Sequence, residues 1–322
     1  MAEPTEGNQE RRESVRLDET IKLLFEVSKE LLVNTLNALF NENFNADSVE
    51  IDKTATEYPN NDLDIIRADL FIKITQIKPR HFHIEMETEP SHIIGVRMFE
   101  YDVAKAISNW CLEGKPTEPV LYMPKSLVIH IEGASNVPQD CHRVNIVLAD
   151  GQTVTYTAPV MRYFEYDESR LIREKLYNLL PLQVFMLRDE LDRMTAKGDE
   201  NGRQTAILKA RDLTERIARK VIQIYKDGKI GLHDVDKIMI ALSELFGHLN
   251  RRYSVNEKLN AEVEAMTRTY YDENLVKQTK VEMAKKAISE KLSLELISKL
   301  TNLDIETIKD LLQEQDADEE PQ

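Results

Sequence analysis

The sequence predicts a mixed α/β protein, with a sheet and helices in its first half and a mostly helical C-terminal half. Three observations lead to this. Residues 67–74 and 81–89 are two alternating runs joined by 76–80, the period-two pattern of paired strands. Further strand-like runs at 126–131, 145–148, 153–156 and 159–164 continue to about Phe164. From Ser169 onward alternation disappears and the apolar spacing is helical.

Taken in order, residues 1–17 are polar and read as a disordered tail. Ser14 or Asp18 caps a first helix carrying Ile21, Leu24, Phe25, Leu31 and Leu32, which continues or breaks before Leu39. Residues 49–51 and 54–56 suggest a first strand, and Asn60, Asn61 and Asp62 a loop. After the acidic strand pair, residues 95–107 read as an amphipathic helix with Val96, Phe99, Val103 and Ile107 on its apolar stripe. Gly114 and Pro116 stop it. Asp150-Gly151 between two strand runs signals a hairpin. Pro181 starts or kinks a helix. The loop at 197–202 is the expected boundary between an α/β core over 18–196 and a helical region over 203–313. Residues 293–300 and 305–312 form a helix-turn-helix whose second helix is too acidic to read bases. Residues 314–322 are an acidic tail, expected to be disordered.

Composition sets bounds. The 322 residues are 42% hydrophobic and 31% charged, enough to bury a core. No run of roughly 18 apolar residues and no apolar leader is present, so neither a membrane span nor a secretory signal is expected. Cys111 and Cys141 are too few for a disulfide framework, which points to a reducing, cytoplasmic setting. The net charge of −15 opposes nonspecific affinity for nucleic acid, since phosphate contacts need Lys and Arg. Much of that acid lies in the two tails, and Arg251-Arg252 and Lys285-Lys286 sit in a milder stretch. No phosphate-binding glycine loop, zinc signature or nucleophile elbow is found.

The chemistry that stands out is acidic. Leu70, Ile72 and Ile74 share one strand face, and Phe82, Ile84 and Met86 share the matching face of the next run, so Asp69, Glu85 and Glu87 fall on the opposite side. An Asp on one strand and Glu-x-Glu on its neighbour can present oxygen ligands to one hard cation such as Mg²⁺. The plainer reading is a half-buried sheet with a solvated acidic side. Arg97 and Tyr101 are four apart and share a helix stripe, which places a guanidinium and a phenol beside the carboxylates. Arg suits a phosphate; the local alternative is that Arg97 bridges to the neighbourhood of Glu100 and Asp102 while Tyr101 packs. His81 and His83 share the face of Glu85, so a His/carboxylate transition-metal site is geometrically open. Lys73 lies on the Asp69 face as a spare cation or a solvated lysine.

The ordered segments "LDETIKLLFEVSKELLVNTLNALF", "RADLFIKI", "HFHIEMETEP", "IIGVRMFEYDVAKAI", "REKLYNLLPLQVFMLRDEL" and "AKKAISEKLSLELISKLTNLDIETIKDLL" resemble the recombination-promoting nuclease and putative transposase family of the PD-(D/E)xK nuclease superfamily. Together they cover most of residues 18–313. The resemblance implies a restriction-endonuclease-like central sheet flanked by helices. It implies Mg²⁺ or Mn²⁺ on Asp69 and Glu85, DNA as substrate, Asp69, Glu85 and Glu87 as catalytic residues, and Arg97 and Tyr101 as substrate-binding residues. The chain departs from the pattern at Glu87, where the superfamily has Lys and this branch commonly Gln. An ionised carboxylate cannot donate a hydrogen bond there, and it repels phosphate while adding a metal ligand. Clustered carboxylates also raise one another's pKa unless a cation sits between them.

Two functions of different class follow. One is a metal-dependent DNA endonuclease of the transposase or recombination-promoting type, weakened by Glu87. The other is a catalytically degenerate nuclease scaffold that binds a protein partner, or a second copy of itself, through the helical half. A hydrolase of non-nucleic substrates would rest on the acidic cluster alone.

Overall fold

The computed structural model describes residues 19–54, 57–59, 65–67, 70–88, 91–112, 120–133, 136–254, 256–271 and 273–318. A short helical stretch at 19–23 ends before Ser28, whose hydroxyl accepts from the Leu31 N–H and caps helix α1, Lys29–Phe40. The break therefore falls well before Leu39, and Ser14 and Asp18 lie outside the described residues. Its cause is a distant residue. The Ser28 N–H and hydroxyl donate to the two carboxylate oxygens of Asp234 at 2.6 and 2.9 Å, which fixes the chain direction at the start of α1.

The main sheet contains β1 (Glu50–Thr54), β4 (Leu70–Thr75), β5 (Pro79–Glu87), β6 (Lys125–His130), β7 (Cys141–Val147) and β8 (Thr153–Arg162). Its order is β1-β4-β5-β6-β8-β7. A separate antiparallel pair is formed by β2 (Glu57–Pro59) and β3 (Ile65–Arg67). Strand β4 is antiparallel to both of its neighbours, β1 and β5, and the β4–β5 ladder places Leu70 opposite Ile84 and Lys73 opposite His81. Strands β5, β6 and β8 are parallel. Helix α2 (Ile94–Leu112) makes the crossover from β5 to β6, the connection that parallel neighbours require. The hairpin at Asp150-Gly151 is present, with Gly151 at φ +85°, a conformation glycine adopts without penalty. The runs at 153–156 and 159–164 are one strand, β8, which ends in a 3₁₀ turn at Tyr163–Glu165. The loop expected at Asn60 to Asp62 lies outside the described residues.

One face of the sheet is apolar. Leu70, Ile72, Ile74, Phe82, Ile84, Met86, Leu127 and Ile129 join Leu31, Leu32 and Leu36 of α1 in the main core. The other face is not open to water, as a solvated acidic side would be: α2 lies over it. Here the structure corrects the expected orientation of that helix. Val96 and Ile107 are exposed, whereas Ile94, Met98, Tyr101, Asp102, Lys105 and Ala106 are buried. The covered sheet face bears His83, Glu85, Glu87, Ser126 and His130, so the helix turns towards it the stripe that carries matching polar groups. Gly95 belongs to this contact. A Cβ there would lie 3.3 Å from both the His142 Cβ and the Val144 Cγ2, so glycine lets the first turn of α2 approach β7.

After β8 the described elements are all helical. They are α3 (Glu168–Arg173), α4 (Leu182–Phe185, directly after Pro181), α5 (Arg188–Ala196), α6 (Glu200–Lys226), α7 (Leu232–Tyr253), α8 (Glu257–Tyr270), α9 (Glu273–Ser289), α10 (Leu294–Thr301) and α11 (Ile305–Asp318). The main core runs from Ile21 to Val263 and crosses the loop at 197–202. Helices α9–α11 close a small core of their own around Ala284, Ile297, Ile308 and Leu311. Helix α11 takes in residues expected in the acidic tail, because no Gly or Pro interrupts it before Pro321. Among the described residues no helix is long and apolar enough to cross a membrane.

Candidate functional site

The polar layer between β5 and α2 starts from alternation. His81, His83, Glu85 and Glu87 point to the same side of β5, opposite Phe82, Ile84 and Met86. Glu85 is only 4% exposed and Glu87 8%. One nitrogen of Arg97, Nη2, donates to Oε1 of Glu85 at 2.8 Å and also to Oε1 of Glu87. Arg97 therefore reaches across to the strand and does not bridge within its own helix. Burial opposes its charge, but the two carboxylates outweigh that and raise its pKa above the ordinary guanidinium value.

Behind Glu85 lies a second ion pair. His83 is fully buried, with Nδ1 2.7 Å from Oδ1 of Asp102 and Nε2 3.6 Å from Oε2 of Glu85. Burial alone would lower the His83 pKa; Asp102 and Glu85 reverse this and raise it. Oδ2 of Asp102 accepts from the Tyr156 hydroxyl at 2.5 Å and from Ser126 Oγ. The result is a chain of polar contacts, Asp102, His83, Glu85, Arg97, Glu87, stretched between helix and sheet. Tyr101 packs against Phe71, with its ring 5.9 Å from that of His83, and is 9% exposed.

Three further residues extend the site across the parallel strands. The register sets Glu87 beside His130 and His130 beside Arg162. His130 is 1% exposed, and its Nε2 lies 2.9 Å from that of His142. Burial, His142 and Arg162 together lower the His130 pKa to about 4, so it is neutral. Just beyond, Arg188 makes a bidentate pair with Glu132 at 2.7 Å and donates to the Thr88 carbonyl at 3.1 Å, tying α5 to the end of β5.

Asp69, the third carboxylate expected here, lies outside the described residues. Among the described residues no group of three or more His, Cys, Asp or Glu side chains is arranged to hold a metal ion. Glu85 and Glu87 nonetheless have the donor chemistry of a hard-cation site: oxygen ligands, buried, with two carboxylates converging on one positive centre. Lys73 cannot serve Glu87. It pairs with His81, six residues back along β5 and so about 20 Å away. His81 likewise stands apart from the acidic cluster; of the two histidines on this face only His83 adjoins Glu85.

Sequence reasoning missed Asp102, Ser126, Tyr156, His130 and His142. Asp102 alone left a signal, an acidic residue on the stripe of Ile94, Met98 and Ala106. Comparison of the chain with family models, curated proteins and solved structures finds no match.

Proposed function

We propose that the chain is a metal-dependent DNA endonuclease, a phosphodiester hydrolase of restriction-endonuclease-like fold and of the transposase or recombination-promoting type, acting at the end of β5. The supporting observation is the convergence of the buried Glu85 and Glu87 on the single Nη2 of the half-buried Arg97. Buried carboxylates held side by side are costly, and such clusters concentrate at functional sites. In sequence, Asp69 precedes Leu70 just as Glu85 follows Ile84, and Leu70 and Ile84 face each other in the β4–β5 ladder.

Glu85 and Asp69 would hold Mg²⁺ or Mn²⁺, which when bound polarises a phosphoryl oxygen and lowers the pKa of a coordinated water. Glu87 serves as a further oxygen ligand or as the general base that takes the proton of the attacking water. The Arg97 side chain is 31% exposed, against 6% and 9% for the two glutamates, so an approaching phosphate meets the guanidinium first.

A second reading, a scaffold that binds a protein partner, is favoured by one observation. Leu296, Leu300 and Ile305 are exposed beside the separate core of α9–α11. The two readings separate in an assay of plasmid and single-stranded DNA with Mg²⁺ or Mn²⁺. The enzyme reading expects metal-dependent cleavage that Asp69→Ala abolishes; no cleavage by either protein supports the scaffold.

A further inference from the structure

At the opposite end of the β5–α2 pair lies a cavity of ≈ 260 Å³, lined by Lys78, His81, Asn109, Trp110, Val120 and Tyr122. His81 is six residues from Glu87 along β5, about 20 Å, so this cavity is separate from the acidic cluster. Three residues of its lining each carry a polar atom, His81 Nδ1, Asn109 Nδ2 and Trp110 Nε1, that is buried without a hydrogen-bond partner. Such atoms are rare in folded proteins and each calls for a partner. Here all three residues line one cavity.

The chemistry of these groups defines the ligand. Asn109 Nδ2 and Trp110 Nε1 only donate, so the ligand edge must accept. Burial first, and then Lys105 and Lys73, lower the His81 pKa to about 4, so the ring is neutral and offers one donor and one acceptor. Trp110 and Tyr122 supply aromatic faces, and Tyr122 is 70% exposed at the rim. Planar rings stack on such faces whatever their substituents. Lys78 stands at the lining, and of the charges that act on His81 the two lysines, Lys73 and Lys105, outnumber Asp52, which favours a ligand that also carries negative charge. The volume is at the small end for ligand pockets and suits a ring with its remaining groups outside.

We propose that this cavity binds a nucleobase carrying a phosphate, stacked on Trp110 and Tyr122 with its polar edge on Asn109 and His81. The base comes either from a free nucleotide or from an unstacked position in a single strand. The site does not depend on the acidic cluster being catalytic.

Trp110 is the only tryptophan in the chain, so intrinsic tryptophan emission reports this cavity alone. The full-length protein is titrated with dAMP and, separately, with a short oligo(dA) strand. The expected result is saturable quenching of Trp110, weakened tenfold or more by Asn109→Ala and severalfold by Lys78→Ala, an exposed position whose change leaves the fold intact. Saturation by dAMP assigns a free nucleotide; saturation by the strand alone assigns an unstacked base. Glu85→Gln binds as the wild type does, so loss of catalysis at the acidic cluster does not mimic loss of this site. Absence of quenching by both ligands, or quenching of equal affinity in wild type, Asn109→Ala and Lys78→Ala, overturns the proposal.

Discussion

Arg97 Nη2 lies 2.8 Å from Oε1 of Glu85, and the same nitrogen meets Glu87. One guanidinium thus fastens the start of α2 to the end of β5. Arg97→Ala leaves two buried carboxylates without it and should cost about 3 kcal/mol in urea unfolding, since breaking a buried ion pair strands the remaining charge. Arg97→Lys should recover part of this, because an ammonium keeps the charge but not the planar fork. An unchanged unfolding midpoint in Arg97→Ala would mean the contact carries no stability.

The contact also refines what Glu87 does. Glu87→Gln keeps an acceptor for Arg97 and should fold normally, whereas Glu87→Lys sets an ammonium against a guanidinium in a buried layer and should be several kcal/mol less stable. Cleavage by the Gln variant then gives the sign. Higher activity than wild type means the carboxylate repels phosphate; activity lower by about 10²-fold or more means it is ligand or base. Thermal melts of both variants, run beside the assay, separate chemistry from unfolding.

Asp102 accepts from His83, Tyr156 and Ser126 with no exposure to solvent. Asp102→Ala removes the acceptor shared by a buried imidazole and two hydroxyls and should cost about 1–3 kcal/mol. Asp102→Asn retains one acceptor oxygen and should cost less. Equal losses in the two variants, measured by chemical denaturation, would show that shape and not charge matters at this position.

His248 gives the pH dependence. It is 7% exposed, packed with its ring 5.9 Å from Phe185, and burial with nearby Arg252, Arg251 and Arg188 lowers its pKa to about 4. The folded value is below the ordinary 6.5, so the native state prefers the neutral ring. Its contribution is complete above about pH 6.5 and is lost as pH falls towards 4, where the unfolded chain takes up the proton first. The wild-type Tm should therefore fall more steeply between pH 7 and 4.5 than that of His248→Gln. Parallel curves would contradict the assignment.

Much of the fold was legible because its signals are local. The period-two runs of β4 and β5, the Gly151 turn and the helical spacing after residue 168 each depend on a few adjacent residues. Helix α2 was legible as a helix but its orientation was not, because the stripe it buries carries Asp102 and Lys105 and matches a polar sheet face elsewhere in the chain. The site divides in the same way. Glu85, Glu87 and Arg97 are close in sequence and were found together, whereas the Glu87-His130-Arg162 row exists only once β5, β6 and β8 lie parallel. Ser28 and Asp234, 206 residues apart, show the same limit at a helix cap.

The most direct measurement is the rate of DNA cleavage against Mg²⁺ concentration for wild type and Glu85→Gln, a substitution that preserves shape and an acceptor for Arg97. The account predicts saturable, metal-dependent cleavage by the wild type and its loss, by about 10²-fold or more, in Glu85→Gln at unchanged Tm. Equal metal-dependent cleavage by both proteins would contradict it.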